Sequence, residues 1–154
     1  MLETPHVAFG MAIAVKTGNP YIAIPMALAS HFVLDVVPHW NPHFYTETKE
    51  FGKPAKLSTT IALIDEFVAI GLTLYVAYAF LPNINTSLLI LISSFLSVLP
   101  DQIKFPFFFF KNMRKGIIKK WTKWERSIQV EVGPFWGILN QIIVTVVSLF
   151  WIFT

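Results

Sequence analysis

Long apolar runs separated by short polar segments dominate this chain. Runs of this length match the hydrocarbon core of a bilayer, so they predict an all-α integral membrane protein. We expect a single domain with about five transmembrane helices and one interfacial amphipathic helix. The predicted transmembrane helices cover residues 5–16, 20–38, 57–81, 86–100 and 133–153, and the interfacial helix covers about 114–130.

Particular residues set the expected helix ends. Thr4 is the predicted N-cap of the first helix, with Pro5 at its first helical position. That helix would span only about 18 Å, so it is a short or tilted crossing, or a re-entrant hairpin with the second helix. Pro38 should end or kink the second helix, and Pro100 should end the fourth. Residues 39–56 are polar and are predicted to form a loop.

The composition agrees with a membrane protein. Charged residues make up only 14% of the chain and the mean hydropathy is +0.59, whereas about a quarter of a soluble domain is usually charged. The chain contains no cysteine, which excludes disulfides and thiolate metal ligands.

The interfacial helix is predicted from the segment GIIKKWTKWERSI. Four apolar residues share one face at spacings of 4, 3 and 4, and the basic residues lie largely off that face. The pattern favours a helix lying in the membrane interface, with membrane lipid as its partner. A nucleic-acid patch is the alternative, since basic residues and tryptophans are interleaved there too. The flanking apolar helices favour lipid, and we expect no nucleic acid.

The distribution of basic residues predicts the orientation. Five crossings would place the N-terminus, residues 39–56 and residues 102–132 on one side, and every Lys and Arg except Lys16 belongs to that side. By the positive-inside rule, this side is cytoplasmic.

The most informative stretch is SHFVLDVVPHWNPH, residues 30–43. His31 and Asp35 are four residues apart, so they share one face of the second helix. An ionisable pair inside an apolar helix is costly and by default indicates function. His39 and His43 follow Pro38 at the membrane edge, and His43 is predicted to be a surface histidine.

Other ionisable groups are expected at the same depth in the membrane as His31 and Asp35. Asp65 and Glu66 are adjacent and point about 100° apart, and we favour Asp65 as the one facing the site. His6 and Asp101 have helix-capping alternatives, and the whole cluster could simply bond helices together. The predicted metal ligands are His6, His31, Asp35, Asp65 and Asp101, and the predicted general acid–base residues are His39 and Glu66.

Imidazole and carboxylate ligands suit a divalent metal ion, with Zn or Mn favoured. Such an ion can activate water for hydrolysis. At headgroup depth, the substrate would be a phosphoester or related bond of a lipid-linked molecule. No Gly-rich phosphate loop, G-x-S-x-G elbow or H-E-x-x-H motif is present.

Three segments resemble a family of small bacterial and archaeal inner-membrane proteins, the membrane-bound metal-dependent hydrolases. The segments are TPHVAFG, SHFVLDVVPH and SVLPD. The resemblance implies a cytoplasmic-membrane enzyme whose metal-site matches are His6, His31, Asp35 and Asp101. Three features depart from the family. Its H-R-G-x-T-H-S stretch is absent, the leucine-proline-aspartate segment follows the His-x-x-x-Asp segment here, and Ile103 stands where the family has a second aspartate.

Two other functions remain open from the sequence. The cluster could serve a small transporter or metal-handling protein, although the chain has no detectable inverted repeat. It could also belong to a non-catalytic assembly protein. A homodimer is the one protein partner that we consider.

Overall fold

A computed structural model describes all 154 residues and is built of α-helices. This confirms the predicted all-α class. The seven helices are α1 (Glu3–Thr17), α2 (Pro20–Val36), α3 (Phe44–Phe51), α4 (Lys56–Ala79), α5 (Ile84–Phe109), α6 (Gly116–Ile128) and α7 (Pro134–Phe153).

Three helices, α4, α5 and α7, are long and apolar enough to cross a membrane. Their outer faces carry large exposed apolar side chains, among them Phe67 and Phe150, which are 73% and 70% exposed. Apolar surface of this extent needs a non-aqueous neighbour. Helices α1 and α2, with 15 and 17 residues, measure about 22 and 25 Å, short of the roughly 30 Å hydrocarbon core. The five-span count therefore stays a prediction.

The shortest of the apolar helices, α1, lies at the centre of the bundle. It packs against α2, α4, α5 and α7, and most of its residues from Pro5 to Ala14 are buried. Small residues allow this close packing: a Cβ on Gly10 would lie 2.8 Å from Ser97 Oγ and 2.9 Å from the Ser93 carbonyl oxygen on α5. Close approach at small residues is a common basis of helix association in membranes.

The turns at both ends of α2 follow from local sequence. Gly18 adopts a left-handed conformation (φ 55°) and ends α1, and the Asn19 side chain caps α2 by accepting from the Tyr21 N–H. At the other end, Val37 is extended (ψ 129°), because the residue before a proline is disfavoured in helix. The predicted end of this helix at Pro38 is confirmed to within two residues.

Three predicted details are wrong. Helix α1 begins at Glu3 with Leu2 as its N-cap residue, so Thr4 lies inside the helix. Helix α5 continues through Pro100 to Phe109. A proline removes only one donor, and neighbouring helices hold the helix on both sides: His31 bonds the Ser97 carbonyl, and the Trp121 indole donates to the Pro100 carbonyl.

The third error is the loop at residues 39–56, which contains α3. Its two prolines flank the helix instead of interrupting it, and Gly52 ends it in a left-handed conformation (φ 76°). At the end of α5, the Tyr45 ring stacks on Phe107, and the Phe44 ring makes edge-to-face contacts with Phe108 and Phe109. This aromatic packing stabilises a helix that the local polarity does not predict.

Helix α6 and the chain after it cover one end of the bundle. The buried side chains of α6 are Thr122 and Glu125, while Ile117 is 82% exposed. Beyond α6, the N–H of Val130 donates to the Asp35 carbonyl, and His39 exchanges two backbone hydrogen bonds with Val130 and Val132. These bonds join the chain after α6 to the end of α2.

Candidate metal centre

Three histidines and three carboxylates meet at the end of the bundle covered by α6. Helix α1 contributes His6, α2 contributes His31 and Asp35, the turn after α2 contributes His39, α5 contributes Asp101 and α6 contributes Glu125. The three histidine side chains and Asp35 are fully buried, and Glu125 is 1% exposed. Charged and imidazole groups buried this deeply require partners.

The central member is His31, whose proton position can be worked out from its contacts. Its Nδ1 lies 2.8 Å from the Ser97 carbonyl oxygen. A carbonyl only accepts, so Nδ1 carries the hydrogen and donates it. In the neutral ring, Nε2 is then a lone pair, and Nε2 has no hydrogen-bond partner. A backbone carbonyl that fixes the tautomer in this way is typical of metal-binding histidines.

The lone pair of His31 points at carboxylates. Nε2 lies 3.3 Å from Asp101 Oδ1, 3.4 Å from Asp35 Oδ2 and 3.8 Å from Glu125 Oε1. Lone pairs facing carboxylate oxygens repel unless a cation or a proton lies between them. Two ligands about 2.1 Å from one tetrahedral metal ion lie about 3.4 Å apart, so these separations fit a shared divalent ion.

The donor set that fits an ion comprises two overlapping groups. Each has ligand atoms within 4.8 Å of one another: His6, His31 and Asp101 in one, and His31, Asp35, Asp101 and Glu125 in the other. Nitrogen and oxygen donors in this mixture suit a divalent metal ion.

The geometry brings His6 into the cluster from α1. Its ring stacks on that of His31, with centroids 4.2 Å apart, and its Nε2 lies 3.5 Å from Asp35 Oδ1. Neither ring nitrogen of His6 has a hydrogen-bond partner. Unpaired buried polar atoms are costly in a native protein and commonly mark a functional group.

Polar groups around the carboxylates complete the centre. Lys104 Nζ lies 2.6 Å from Asp101 and 2.5 Å from Glu125. Gln129 donates to Asp35 and to Glu125, at 3.1 and 2.6 Å, and the amino group of Met1 lies 2.5 Å from Asp35. Burial raises the pKa of Glu125, which His31 and Lys104 oppose.

The predicted acid–base histidine, His39, lies beside this centre. Its Nδ1 bonds the Val37 carbonyl oxygen at 2.7 Å, and its Nε2 lies 3.1 Å from the Asn41 amide nitrogen and 4.0 Å from Asp35. Burial lowers the pKa of His39 to about 4, so the ring is neutral at neutral pH. With Asn41 donating to Nε2, neither nitrogen is free to exchange a proton with a substrate.

Asp65 is not among the residues of the two donor groups. Its carboxylate accepts from the N–H groups of Glu3 and Thr4 and from the Thr4 hydroxyl, at 2.5, 3.3 and 2.6 Å. Asp65 therefore caps the start of α1 from α4, and its role as a ligand stays a prediction. A carboxylate at a helix N-terminus is stabilising because the first N–H groups lack partners inside the helix.

A cavity of about 490 Å³ adjoins the carboxylates. Its polar lining includes Asp101, Glu125 and Lys104, and Glu66 lies on its α4 wall with an amide donor from Gln102 at 3.3 Å. The apolar part of the lining is aromatic and aliphatic and comes largely from α3, α4 and α5. Among the lining residues Leu63 and Phe105 are 50% and 46% exposed, so this apolar wall reaches the outer surface of α4 and α5.

The turn that carries His39 is held by α7. Asn140 donates to the Pro38 carbonyl, and Gln141 donates to the Trp40 carbonyl while accepting from the Leu2 N–H. Both side chains thus bond the turn after α2, and Gln141 also bonds the residue before α1. A Cβ on Gly137 would lie 2.3 Å from Trp40 N, so only glycine permits this approach.

Sequence reasoning missed Glu125 and Lys104. A signal for Glu125 was available: it lies four residues after Trp121 and three before Ile128, next to the apolar stripe of α6. An acidic side chain on the inward side of an otherwise basic amphipathic helix indicates a buried carboxylate. Lys104 had no such signal, because the fourth helix was expected to end at Pro100.

Comparisons of the chain with protein-family models, curated proteins and solved structures found no match. The resemblance to membrane-bound metal-dependent hydrolases thus rests on the three short segments alone.

Proposed function

We propose that this protein is a membrane-embedded metal-dependent hydrolase that acts on a phosphoester or related bond of a lipid-linked substrate. The observation that carries the proposal is the lone pair of His31, which faces three carboxylates at 3.3 to 3.8 Å. A divalent ion, Zn or Mn, is the group that best satisfies such an arrangement in a buried site.

In this proposal, His31, Asp35, Asp101 and Glu125 hold the metal, and His6 adjoins them. The bound ion would supply an activated water and stabilise charge on a phosphoryl oxygen. Lys104 lies on the cavity wall beside the carboxylates, where its ammonium would bind the substrate phosphate. The Ser97 carbonyl, which accepts from His31 Nδ1, would hold the His31 ring in orientation.

Proton transfer is assigned to Glu66 in preference to His39. Glu66 lines the cavity, whereas both ring nitrogens of His39 already have partners. A general acid or base must come within hydrogen-bond reach of the group that it protonates or deprotonates. His39 would instead hold the turn after α2 in place, through its ring bond to Val37 and its backbone bonds to Val130 and Val132.

We also propose that the site faces the cytoplasm of a bacterial or archaeal cell. The start of α1, the turn after α2, the end of α5 and all of α6 lie at this end of the bundle. These segments carry nearly all the basic residues, and basic segments stay on the cytoplasmic side. In this orientation α1 and α2 form the remaining two crossings.

The test is metal analysis combined with turnover. Purified protein should contain Zn or Mn, and should hydrolyse bis(p-nitrophenyl) phosphate or a component of a total lipid extract. His31→Ala should lose metal and turnover, whereas His43→Ala should retain both, since His43 is exposed at the start of α3. Protein that holds metal without turnover would favour metal handling or transport, and protein that binds no metal would leave only an assembly role.

A further inference from the structure

Helix α6 carries three different strips of side chains along its length. The inward strip includes Thr122 and Glu125, which are 2% and 1% exposed. The second strip is apolar and includes Ile117, Trp121 and Trp124. The third strip is basic, and its exposed side chains are Lys119, Lys120 and Lys123. At about 100° per residue the basic strip is directed away from the bundle, next to the apolar one.

The apolar strip of α6 continues the outer surface of α2. The rings of Trp121 and Trp124 lie edge-on to Phe32 on α2, with centroids 6.2 and 5.5 Å apart. Trp124 is still 49% exposed, and Ile117 on the same strip is 82% exposed. The neighbouring Val33 on α2 is 64% exposed. Exposed tryptophan and isoleucine beside a row of lysines are typical of a helix that lies in a membrane interface.

The position of α6 in the fold agrees with such an interface. Helix α5 ends at Phe109, just before the short 3-10 helix Lys111–Met113 that leads into α6. Helix α7 begins at Pro134, soon after α6 ends at Ile128. Both α5 and α7 are long and apolar enough to cross a membrane. Because the connections to both helices are short, α6 lies close to the level at which they leave the hydrocarbon core.

The charge of the segment from Lys111 to Trp124 is entirely positive. It contains Arg114 and several lysines but no carboxylate. Arg114 serves the fold, because its guanidinium donates to three backbone carbonyls. The exposed lysines form no ion pair within the protein, and they are Lys111, Lys115, Lys119, Lys120 and Lys123. Unpaired lysines at a membrane surface attract anionic lipid headgroups.

We propose that the basic strip of α6, together with Lys111 and Lys115, binds the anionic phospholipid headgroups of the adjacent leaflet. The lysines would contact the lipid phosphates, and Ile117 and Trp124 would insert at the boundary between headgroups and acyl chains. A nucleic acid is the other polyanion that unpaired lysines could bind, but an exposed isoleucine neither pairs nor stacks with bases. This surface lies outside the candidate metal centre, and its binding of lipid requires no turnover.

The first experiment measures lipid binding to the full-length protein in detergent by native mass spectrometry. Dioleoyl phosphatidylglycerol or dioleoyl phosphatidylcholine is titrated into the protein, and the apparent Kd values are compared. The anionic lipid should bind at least about tenfold more tightly. Raising the ammonium acetate concentration should reduce this preference, because salt screens exposed charges. Equal affinities for the two lipids would overturn the proposal.

Two matched triple variants test whether α6 is the surface that binds. The test variant removes the basic strip and combines Lys119→Gln, Lys120→Gln and Lys123→Gln. The control removes the same charge from exposed lysines around α3 and combines Lys49→Gln, Lys53→Gln and Lys56→Gln. None of these lysines forms an ion pair, so both variants should fold. The test variant should lose the preference for phosphatidylglycerol and the control should keep it; equal losses would refute binding at α6.

The second experiment locates the contact in a bilayer. The chain has no cysteine, so Ser127→Cys places a single nitroxide on the exposed side of α6, next to the basic strip. In nanodiscs, the access of water-soluble nickel ethylenediaminediacetate to this nitroxide should fall when phosphatidylglycerol is mixed into phosphatidylcholine. Thr46→Cys, on the exposed side of α3, is the control position and should change less. No fall at Ser127→Cys, or an equal fall at both positions, would contradict the proposal.

The third experiment decides between lipid and nucleic acid. A fluorescein-labelled single-stranded RNA is added to the wild type and to the α6 triple variant in phosphatidylcholine nanodiscs, and binding is measured by anisotropy. Equal and weak binding by the two proteins is expected. RNA binding that the triple variant loses, in a protein without a preference for phosphatidylglycerol, would overturn the lipid assignment in favour of a nucleic acid.

Discussion

Replacing Glu125 by glutamine tests whether α6 contributes to a metal centre. The side chain is 1% exposed, and its Oε1 lies 3.8 Å from His31 Nε2, 2.5 Å from Lys104 Nζ and 2.6 Å from Gln129 Nε2. Glutamine keeps the shape and one acceptor oxygen, so the hydrogen bonds from Lys104 and Gln129 survive. The negative charge is lost, which removes one of the four donors of the larger donor group.

The expected loss in metal affinity follows from comparable sites. Replacing even an outer partner of a metal ligand typically weakens binding by about 10- to 100-fold, so loss of a direct ligand should reach the upper end of that range. A factor of about 100 corresponds to about 2.7 kcal/mol. The assay is isothermal titration calorimetry, in which detergent-solubilised, metal-stripped protein is titrated with Zn and the dissociation constant is compared with that of the wild type.

The control is Glu131→Gln. Glu131 lines the same cavity and pairs with Arg126 at 3.5 Å, but it is absent from both donor groups. Half-exposed ion pairs of this kind contribute little, so its metal affinity should match that of the wild type. Equal affinities for the two variants would refute the role of Glu125 as a ligand.

Three further variants probe other parts of the account. Lys104→Met removes the cation bound to two buried carboxylates and should destabilise metal-stripped protein by about 3–5 kcal/mol, with Zn restoring much of the loss, as measured by thermal melting. Gly137→Ala places a methyl group 2.3 Å from Trp40 N and should cost about 1–3 kcal/mol, whereas Gly71→Ala, which meets nothing within 4 Å, should not destabilise. Asp65→Ala removes the cap of α1 and should cost about 1 kcal/mol while leaving the metal affinity unchanged in the same calorimetric titration.

Each of these variants has a clear contradicting result. Metal that fails to protect Lys104→Met would mean that the ammonium and a metal ion do not share the same carboxylates. Equal melting temperatures for the two glycine variants would contradict the tight contact between α7 and the turn after α2. A large loss of metal affinity in Asp65→Ala would restore Asp65 as a ligand.

Local spacing predicted the part of the centre that lies on one helix. His31 and Asp35 are four residues apart, and a single helical turn brings them together whatever the rest of the fold does. His6 and Asp101 were predicted to join this pair because helices that cross a bilayer place the residues near their ends at similar depths. Both residues lie in the donor groups found in the structure.

Tertiary contacts determined the features of the fold and of the site that the sequence did not predict. Asp65 lies at the expected depth, but α1 begins beside it: the N–H groups of Glu3 and Thr4 donate to its Oδ2, and the Thr4 hydroxyl donates to its Oδ1. The continuation of α5 beyond Pro100 depends on bonds from α2 and α6. Glu125 joins the cluster only because α6 folds back over the bundle end, and no spacing rule predicts the direction of such a return.

The competing explanation for the buried cluster is a proton on His31 Nε2 in place of a metal ion. Both would neutralise the lone pair, and both are compatible with the observed distances to Asp35 and Asp101. A metal ion, unlike a proton, produces a strong peak of electron density and scatters X-rays anomalously.

The most direct test is X-ray diffraction at the zinc absorption edge from crystals soaked in Zn. We expect an anomalous peak about 2.1 Å from His31 Nε2 and within coordination distance of Asp101 and Glu125. Crystals that show Zn only at exposed sites, with the space between these three side chains empty of anomalous signal, would contradict the metal centre and the hydrolytic function built on it.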